Sequence, residues 1–435
     1  MLLEFQVENY LSFKERAKLS MMASAIKDLP EAVFTIDKYS ILRSAAVFGA
    51  NASGKSNLLK AMGFMTEFIS KSAKESTFGK DIEVSNFKLC EETLDKPSTF
   101  EMTFLVKDTA GLTKSGNIIF RYGFQLDRTK VWAEWLFARF TAQESTLFTR
   151  IEDEIKIGEK FIEGKKVHNA VGNINKSTLF LSQIVNIKGE NAPITKMVMS
   201  FFLHLTDITI ITGETPTFFT ASLLNLDIYK EKIVKFIQLA DIKFEDIVIE
   251  DQHKNFKSLN EEENMDKFDK IVNDILHQKV TLLRNKYDND HKVVGQVGFD
   301  LEKEESEGTK KFFSIIGVIW KALDDGETLI IDEIDTKLHP HLFLLIISLF
   351  NSASTNKNNA QLIFATHNTL IMDKRYFRRD QIYLVEKDKY GASELYSLLD
   401  YAKVRNDASY SKDYLMGKYG AVPYLGNFEA LFNEV

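Results

Sequence analysis

Alternating apolar and polar residues mark two β regions in the first part of the chain. Within residues 2–21, the apolar residues Leu3, Phe5 and Val7 alternate with polar ones, which predicts a strand at the edge of a sheet. The same alternation recurs over residues 100–163, with glycine turns between the runs. Since a two-residue period is typical of strands with one buried face, we predict antiparallel β structure there.

A three- to four-residue apolar period predicts helices farther along the chain. It extends over residues 191–278 and indicates an inserted, mainly helical lobe with a short strand at residues 247–249. The apolar positions of two helices in this lobe are Ile228, Ile233 and Phe236, and then Met265, Phe268, Ile271 and Ile275.

The last third of the chain alternates between helices and short apolar strands. The pattern predicts helices at residues 312–323 and 342–350, and strands at residues 329–331 and 362–365. Such alternation favours a mostly parallel sheet that is covered by helices.

A strand, a glycine loop and a helix follow one another between residues 41 and 69. Residues 41–48 are almost wholly apolar, and beyond the loop Leu58, Met62, Met65 and Ile69 recur at helical spacing. The loop itself, GANASGKS at residues 49–56, matches G-x-x-x-x-G-K-[ST] at every fixed position. Its glycines let successive backbone N–H groups converge on phosphate oxygens. The sequence therefore predicts a P-loop.

The residues of this loop have separate predicted roles. Lys55 is expected to reach the β- and γ-phosphates, and the Ser56 hydroxyl is expected to ligate Mg²⁺. The predicted ATP-binding residues are Gly49, Asn51, Ala52, Ser53, Gly54, Lys55, Ser56 and Asn57.

A second ATPase motif, TLIIDE, occupies residues 328–333. Its apolar run predicts a core strand that ends at Asp332, close to the P-loop if the two strands lie near each other in the sheet. Asp332 is then expected to hold Mg²⁺ through water, and Glu333 to polarise the attacking water. The predicted cofactors are thus ATP and Mg²⁺.

Two weaker motifs flank the acidic pair. SEGT at residues 306–309 precedes an amphipathic helix, and ATHN at residues 365–368 ends an apolar strand. Ser306 and Gly308 at a helix N-terminus can form a second anion site. Because the chain already has its own P-loop, we expect this second site to act on a γ-phosphate held by another subunit.

In this order along the chain, the motifs resemble those of ABC-like ATPases of the SMC, RecF and OLD branch. The sequence is most similar to the AAA-family ATP-binding proteins of bacterial abortive-infection and restriction-associated loci. The stretches that carry the resemblance are spread over nearly the whole chain: VENYLSF, FGANASGKSN, ESEGTKKF, LIIDEIDTKLHP, QLIFATHN, RRDQIYLVEKD and GKYGAVP.

The resemblance implies roles for further residues. Ser306 and Gly308 are expected to be the signature motif acting in trans, and Asp335 to lie in the D-loop that crosses a dimer interface. His367 is expected to be the switch histidine that faces the γ-phosphate. The expected catalytic residues are therefore Glu333 and His367.

Two parts of the resemblance are looser. Gln183 occupies the place of the Q-loop glutamine, with a plain polar residue as the alternative. Asn9 and Tyr10 match the Asn-aromatic stretch of the branch. However, the basic residue usual two positions after the aromatic is absent, and Lys14 follows instead.

The resemblance also implies an architecture and partners. The expected fold is α/β: an ABC-type ATPase head with a mixed, mostly parallel core sheet flanked by helices, an antiparallel β subdomain and the inserted helical lobe. The expected domains are residues 1–185 and 296–435, which form the two halves of the head, and the lobe at residues 186–295. The expected assembly is a homodimer or higher oligomer closed by ATP sandwiching, which acts in phage defence with a separate effector, a nuclease or a toxin.

Composition adds a few exclusions. The net charge of −7 does not fit a chain that is basic as a whole and binds nucleic acid through that charge. With Cys90 as the single cysteine, the chain forms no intramolecular disulfide and no multi-cysteine zinc site. We find no signal-peptide pattern and no apolar run near the ~20 residues that span a bilayer. A cytoplasmic protein without membrane contact is expected.

Three functions stay open on the sequence. One is an ATP-hydrolysing regulatory or sensor subunit that controls an effector, and another is a DNA-binding repair or maintenance ATPase of the RecF or SMC type. The third is a metal-dependent nuclease that uses Asp332 and Glu333. A basic cluster fits either a nucleic-acid surface or a solvated or intramolecularly paired group of charges; its residues are Lys374, Arg375, Arg378 and Arg379.

Overall fold

The computed structural model describes residues 1–74, 81–171, 175–188, 192–207, 215–240, 242–251, 278–401 and 409–423. Packing contacts divide the chain into two compact units. Unit 1 comprises Met1–Thr209, Gly326–Ile334 and Ile347–Val435, and unit 2 comprises Ile210–Asp325 and Asp335–Ile346. The expected domain boundaries at residues 185 and 295 stay predictions.

The described residues form both strands and helices along the length of the chain. The strands are β1 (Leu2–Glu8), β2 (Ala17–Ser20), β3 (Val33–Ile36), β4 (Tyr39–Leu42), β5 (Ser44–Gly49), β6 (Ser98–Lys107), β7 (Asn117–Leu126), β8 (Val131–Arg139), β9 (Ser145–Ile151), β10 (Glu154–Ile157), β11 (Leu205–Asp207), β12 (Asp246–Asp251), β13 (Gln278–Tyr287), β14 (Val293–Asp300), β15 (Thr328–Ile331), β16 (Gln361–Ala365), β17 (Ile382–Lys387) and β18 (Ser393–Ser397). The α-helices are α1 (Lys55–Lys74), α2 (Glu91–Leu94), α3 (Ile162–Val171), α4 (Phe180–Lys188), α5 (Pro193–Leu203), α6 (Thr215–Leu223), α7 (Asp227–Leu239), α8 (Leu301–Glu304), α9 (Glu307–Asp325), α10 (Pro340–Asn351) and α11 (Tyr410–Leu415).

An antiparallel sheet in unit 1 has the strand order β10-β9-β8-β7-β6-β1-β2. Its inner face carries the apolar residues of the alternating pattern, and these pack on helices α1 and α5. The ring of Phe104 stacks on Phe201 at 4.1 Å, and the ring of Phe100 lies 4.9 Å from that of Phe64. The antiparallel region expected from the alternation is present. Leu3, Phe5 and Val7 lie on β1, which pairs with both β6 and β2, so the prediction of an edge strand at these residues is wrong; the edge strand is β2.

The second large sheet of unit 1 has the order β11-β15-β16-β5-β17-β18, and all of its pairings are parallel except the last. Strands β5, β15 and β16 are buried along their whole length, as expected for a parallel sheet covered on both faces. Helix α1 contacts both this sheet and strand β1 of the antiparallel sheet. The predicted α/β class is confirmed.

Gln361 joins the two large sheets of unit 1. Its side chain is fully buried, and its Oε1 accepts hydrogen bonds from the Leu2 amide at 2.7 Å and the Thr328 hydroxyl at 3.1 Å. Its Nε2 donates to the carbonyl oxygens of Leu2 at 3.0 Å and Leu42 at 3.2 Å. A buried amide with all these partners fixes the position of β1 beside the parallel sheet.

The apolar stretch at residues 41–48 is not one strand, because it is broken at Arg43. The Arg43 side chain is buried and donates to the carbonyl oxygens of Glu31 at 3.1 Å and Asn356 at 3.2 Å. The residues before it belong to the hairpin of β3 and β4, and those after it form the core strand β5.

Unit 2 combines helices with a small antiparallel sheet of order β12-β13-β14. Helix α9 packs on α6 and α7: Phe236 stacks on Phe312 at 5.6 Å, and a Cβ atom at Gly317 would lie within 3.0 Å of Thr220. The predicted strand at residues 247–249 lies inside β12, whereas the hairpin β13–β14 was not predicted. The helix predicted around Met265 to Ile275 lies outside the described residues. No helix in the described ranges is both long and apolar enough to cross a bilayer.

Candidate functional site

The P-loop joins the buried strand β5 to helix α1. Lys55 is 4% exposed, and its Nζ donates hydrogen bonds to the carbonyl oxygens of Gly49 at 3.0 Å and Ala50 at 2.9 Å. Its side chain therefore folds back over the loop. An ammonium group at the N-terminal end of a 20-residue helix makes this position strongly attractive to an anion.

Glycine is required at both ends of the loop. At Gly54, φ is +119°, and a Cβ atom would lie within 3.0 Å of the hydroxyl oxygens of Ser12 and Ser393. At Gly49, a Cβ atom would lie within 3.0 Å of the carbonyl oxygen of Val385. Distant parts of unit 1 thus pack directly on the loop backbone, which limits the directions its amides can take.

The other predicted ATP-binding residues line the rest of the loop. Asn51 and Ala52 are exposed at its tip, where Ala52 has a left-handed φ of 58°. Ser53 is buried, and its hydroxyl oxygen finds no hydrogen-bond partner among the described residues. Ser56 and Asn57 are half-buried in the first turn of α1.

Asp332 and Glu333 follow strand β15 at the same sheet edge as the P-loop. In the parallel pairing, Ile331 lies opposite Phe364 of β16, and Phe364 lies opposite Ala46 of β5. Asp332 is therefore level with the last residues of β5 and two strands away from it, which corresponds to about 10 Å.

The carboxylate of Asp332 suits a divalent cation. Its Oδ1 is buried, and no described residue supplies it with a hydrogen-bond partner. Such an oxygen is costly unless a cation or water satisfies it. The described residues contain no group of three or more His, Cys, Asp or Glu side chains able to hold a metal. Mg²⁺ commonly takes only one or two protein oxygens, with phosphate oxygens and waters as its other ligands. Asp332 and the Ser56 hydroxyl fit that requirement.

Glu333 and His367 lie on either side of the Asp332 carboxylate. Glu333 is exposed and has a left-handed φ of 47°, a strained conformation for a residue with a side chain. His367 is exposed two residues beyond β16, the strand between β15 and β5. The Thr366 amide donates to the Val47 carbonyl at 3.1 Å, so the parallel pairing continues up to the residue before His367. His367 thus lies between the acidic pair and the P-loop.

The predicted signature residues lie in unit 2, at the start of helix α9. The Ser306 hydroxyl accepts a hydrogen bond from the Thr309 amide at 3.2 Å, as an N-cap does. A Cβ atom at Gly308 would lie within 3.0 Å of the Lys337 carbonyl oxygen. Asp335, half-buried, begins the same loop and accepts a hydrogen bond through its carbonyl from Leu338 at 3.2 Å. The signature and the predicted D-loop are therefore packed together.

Glu307 adds a negative charge where the start of helix α9 packs on the loop that contains Lys337, within unit 2. Its carboxylate accepts hydrogen bonds from Nζ of Lys337 at 2.8 Å and from Nζ of Lys310 at 3.0 Å, and these bonds lower the pKa of Glu307 to about 2. Helix α9 therefore begins with an ionised carboxylate at any physiological pH.

A family comparison agrees with these motifs. The family described as "AAA domain, putative AbiEii toxin, Type IV TA system" matches residues 44–373, which is more than half of the chain. The chain belongs to this family. The predicted relationship to AAA-family P-loop ATPases is thereby confirmed.

Two solved structures are similar to this family member. The SMC head bound to the C-winged helix domain of ScpA has 14% identity and a TM-score of 0.40, over 91% of this chain and 97% of that one. The SMC head domain from Thermotoga maritima has 11% identity and a TM-score of 0.38, over 91% of this chain and 98% of that one. Among curated proteins, none matches the sequence.

In this AAA-domain chain, Gln183 is not brought to the P-loop. It lies on α4, where the neighbouring Ser182 hydroxyl donates to the Ile69 carbonyl at 3.0 Å. Ile69 is about 21 Å along α1 from Lys55. The Gln183 Nε2 instead donates to the Thr178 hydroxyl at 2.8 Å. The position fits the plain polar residue that the sequence left as the alternative, and it does not fit a Q-loop glutamine.

Two serines that the sequence did not single out lie against the P-loop. The Ser393 hydroxyl donates to the Ser53 carbonyl at 2.5 Å, and the Asn57 Nδ2 donates to the Ser12 hydroxyl at 2.8 Å. The two serines are also joined, because the Ser393 amide donates to the Ser12 carbonyl at 2.7 Å. Ser12 belongs to the stretch VENYLSF, but nothing in that stretch assigned the serine a role, and Ser393 belongs to no motif. Both are far from the loop and from each other in sequence, so local patterns do not show that they meet there.

Asn9, from the Asn-aromatic stretch, is a buried residue that forms hydrogen bonds with the backbone. It is 4% exposed, and its Nδ2 donates to the carbonyl oxygens of Thr93 at 2.9 Å and Lys96 at 2.8 Å. Its Oδ1 accepts from the Phe87 amide at 3.1 Å. Asn9 thus ties the segment of residues 87–96 to strand β1.

The basic cluster of residues 374–379 contains intramolecular ion pairs. Arg378 and Asp380 are both nearly buried, and two hydrogen bonds of 2.9 and 2.8 Å join them. Arg375 pairs in the same way with Asp373, at 3.0 Å for each bond. These contacts favour the paired interpretation over a nucleic-acid surface.

Proposed function

We propose that this chain binds Mg-ATP at its P-loop and hydrolyses it. The observation that carries the proposal is the buried Asp332 Oδ1, which has no hydrogen-bond partner among the residues that the structure describes. It lies at the same parallel-sheet edge as the loop that carries Lys55 and Ser56. In P-loop ATPases such a loop binds the negatively charged triphosphate, and an acidic side chain near the loop helps to hold the accompanying Mg²⁺.

Each residue then has a defined task. The loop amides and the Lys55 ammonium bind the phosphates, and Ser56 and Asp332 hold the metal ion. When bound, Mg²⁺ offsets the phosphate charge and polarises the phosphate oxygens. Glu333 orients the attacking water and accepts its proton, and His367 donates a hydrogen bond to the γ-phosphate.

Phosphate release from ATP tests this assignment. The wild-type protein is expected to turn over ATP, and Lys55→Ala to lose turnover because nucleotide binding is lost. Glu333→Gln should retain binding and lose at least about 100-fold in rate, as removal of a general base does. Glu154→Gln, an exposed change on β10 at the far edge of the other sheet, is the control. Equal rates for the wild type and Lys55→Ala would contradict the proposal.

We infer further that ATP joins two copies of the chain. In that assembly Ser306 and Gly308 of one copy contact the γ-phosphate held by the P-loop of the other, and Asp335 lies at the interface. The exposure of Ser306 at the start of a 19-residue helix supports this inference, because an exposed helix N-terminus can meet an anion from outside.

We also infer a role in phage defence by abortive infection, in which the chain regulates a separate effector. The family description supports a role in a toxin system, because it names an AbiEii toxin and a type IV TA system. Expression of the chain with and without its neighbouring gene tests the idea. Growth arrest that needs both genes and an intact Lys55 is the expected result.

Other outcomes of these experiments would point to other functions. Arrest by the chain alone would make it the toxic component. Degradation of DNA by the purified chain would favour a nuclease. ATP-dependent DNA binding that weakens steeply with salt would favour a repair or maintenance ATPase.

A further inference from the structure

The Ser53–Gly54 peptide of the P-loop is held from outside by Ser393. Ser393 is 6% exposed, and its hydroxyl donates to the Ser53 carbonyl oxygen at 2.5 Å. In a planar trans peptide the C=O and the N–H point in opposite directions. The bond from Ser393 therefore turns the Gly54 N–H away from β18.

Ser12 supports the same corner of the loop. Its hydroxyl accepts from Asn57 Nδ2 at 2.8 Å, and its carbonyl accepts from the Ser393 amide at 2.7 Å. Both hydroxyl oxygens lie within 3.0 Å of where a Cβ atom at Gly54 would stand. Ser12 and Ser393 thus pack on the loop backbone at Gly54 from two sides. A flip of the Ser53–Gly54 peptide would break the hydrogen bond from Ser393 and leave the buried Ser53 carbonyl unsatisfied.

We propose that Ser393, supported by Ser12, is a positioning residue for the triphosphate, which orients the Gly54 amide toward the phosphates. This inference rests on the proposed ATP binding and goes beyond it, because no P-loop motif includes a residue of β18. A residue that orients a phosphate-binding amide contributes to ATP affinity and not to the attack of water. Its removal should therefore raise KM and leave kcat nearly unchanged.

Steady-state ATP hydrolysis by Ser393→Ala is the test, with Ser397→Ala as the matched control. Ser397 lies on the same strand at a similar 9% exposure, but its hydroxyl accepts from the Leu399 amide, about 13 Å along β18 from Ser393. Loss of one buried hydrogen bond should raise KM about tenfold in Ser393→Ala, with kcat within about twofold of wild type. Ser397→Ala should match wild type in both constants.

Ser393→Thr keeps the hydroxyl and should return KM to within about threefold of wild type. Ser12→Ala, which removes only the acceptor for Asn57, should raise KM in the same direction. If Ser393→Ala does not fold, Ser12→Ala replaces it as the test variant. An unchanged KM in Ser12→Ala would then refute the proposal. Equal effects of Ser393→Ala and Ser397→Ala, or a loss of kcat with KM unchanged, would also overturn it. If the wild type neither binds nor hydrolyses ATP, it is the proposed function that fails.

Discussion

The charged groups of Lys55 and Asp332 differ in the hydrogen bonds that the protein gives them. The Lys55 ammonium bonds to two carbonyl oxygens of its own loop, whereas Oδ1 of Asp332 is buried without a hydrogen-bond partner among the described residues. The loop can therefore fold around its cation without a ligand. The carboxylate has a free lone pair for an added cation.

Substitution of Asp332 by Asn tests this asymmetry. The amide preserves shape but removes the charge that attracts Mg²⁺, so ATP affinity in Mg²⁺ should fall by about 2 kcal/mol, roughly thirtyfold. Affinity in excess chelator should stay near the wild-type value. Fluorescent-nucleotide titrations with and without Mg²⁺ measure both quantities. An equal loss of affinity in the two conditions would show that Asp332 acts on folding and not on the metal ion.

Some residues of the candidate site could be predicted from the sequence, and others could not. The P-loop residues and the acidic pair belong to short motifs, so their spacing alone indicated phosphate and metal chemistry. Gln183 was assigned as the Q-loop glutamine from its place in the order of motifs along the chain. That order does not show which end of helix α1 the residue contacts. Ser393 contacts the loop only because β17 pairs with β5, a tertiary event that local patterns do not encode.

At the scale of elements, the parallel strands bring the chemistry together, and they were largely predictable. Strands β5, β15 and β16 are short runs of buried apolar residues followed by polar ones, which is the pattern of a covered parallel sheet. The hairpin β13–β14 was not predicted. In strand β14, Val293, Val294 and Val297 are all exposed, so this strand shows no alternation of buried and exposed apolar residues.

Helix α9 is the element on which the proposed assembly depends. Ser306→Ala removes the hydroxyl that caps this helix, which costs about 1 kcal/mol of local stability. If the hydroxyl acts on the ATP of a partner chain, turnover should fall at least about tenfold while ATP affinity of a single chain is unchanged. Calorimetry and phosphate release on the same preparation measure both. Ser397→Ala is the control, because the Ser397 hydroxyl also accepts a hydrogen bond from a backbone amide, that of Leu399. Parallel loss of binding and turnover would refute the action in trans.

At the scale of the whole molecule, the proposed ATP-joined assembly predicts a change in mass. Glu333→Gln should hold ATP without cleaving it, so Mg-ATP should roughly double its mass in light scattering. The same variant with ADP should stay at the mass of the nucleotide-free protein. A double variant with Lys55→Ala is the control and should not respond. An unchanged mass of Glu333→Gln with saturating Mg-ATP would remove the support for a sandwich dimer.

Mg-ATP binding is the claim on which the site and the assembly both depend, and titration calorimetry measures it directly. The wild-type chain should bind about one ATP per chain, with a Kd between roughly 1 μM and 1 mM, as nucleotide sites of enzymes do. Lys55→Ala should show no binding heat under the same conditions. Folded wild-type protein that gives no binding signal with Mg-ATP at millimolar concentration would contradict the account.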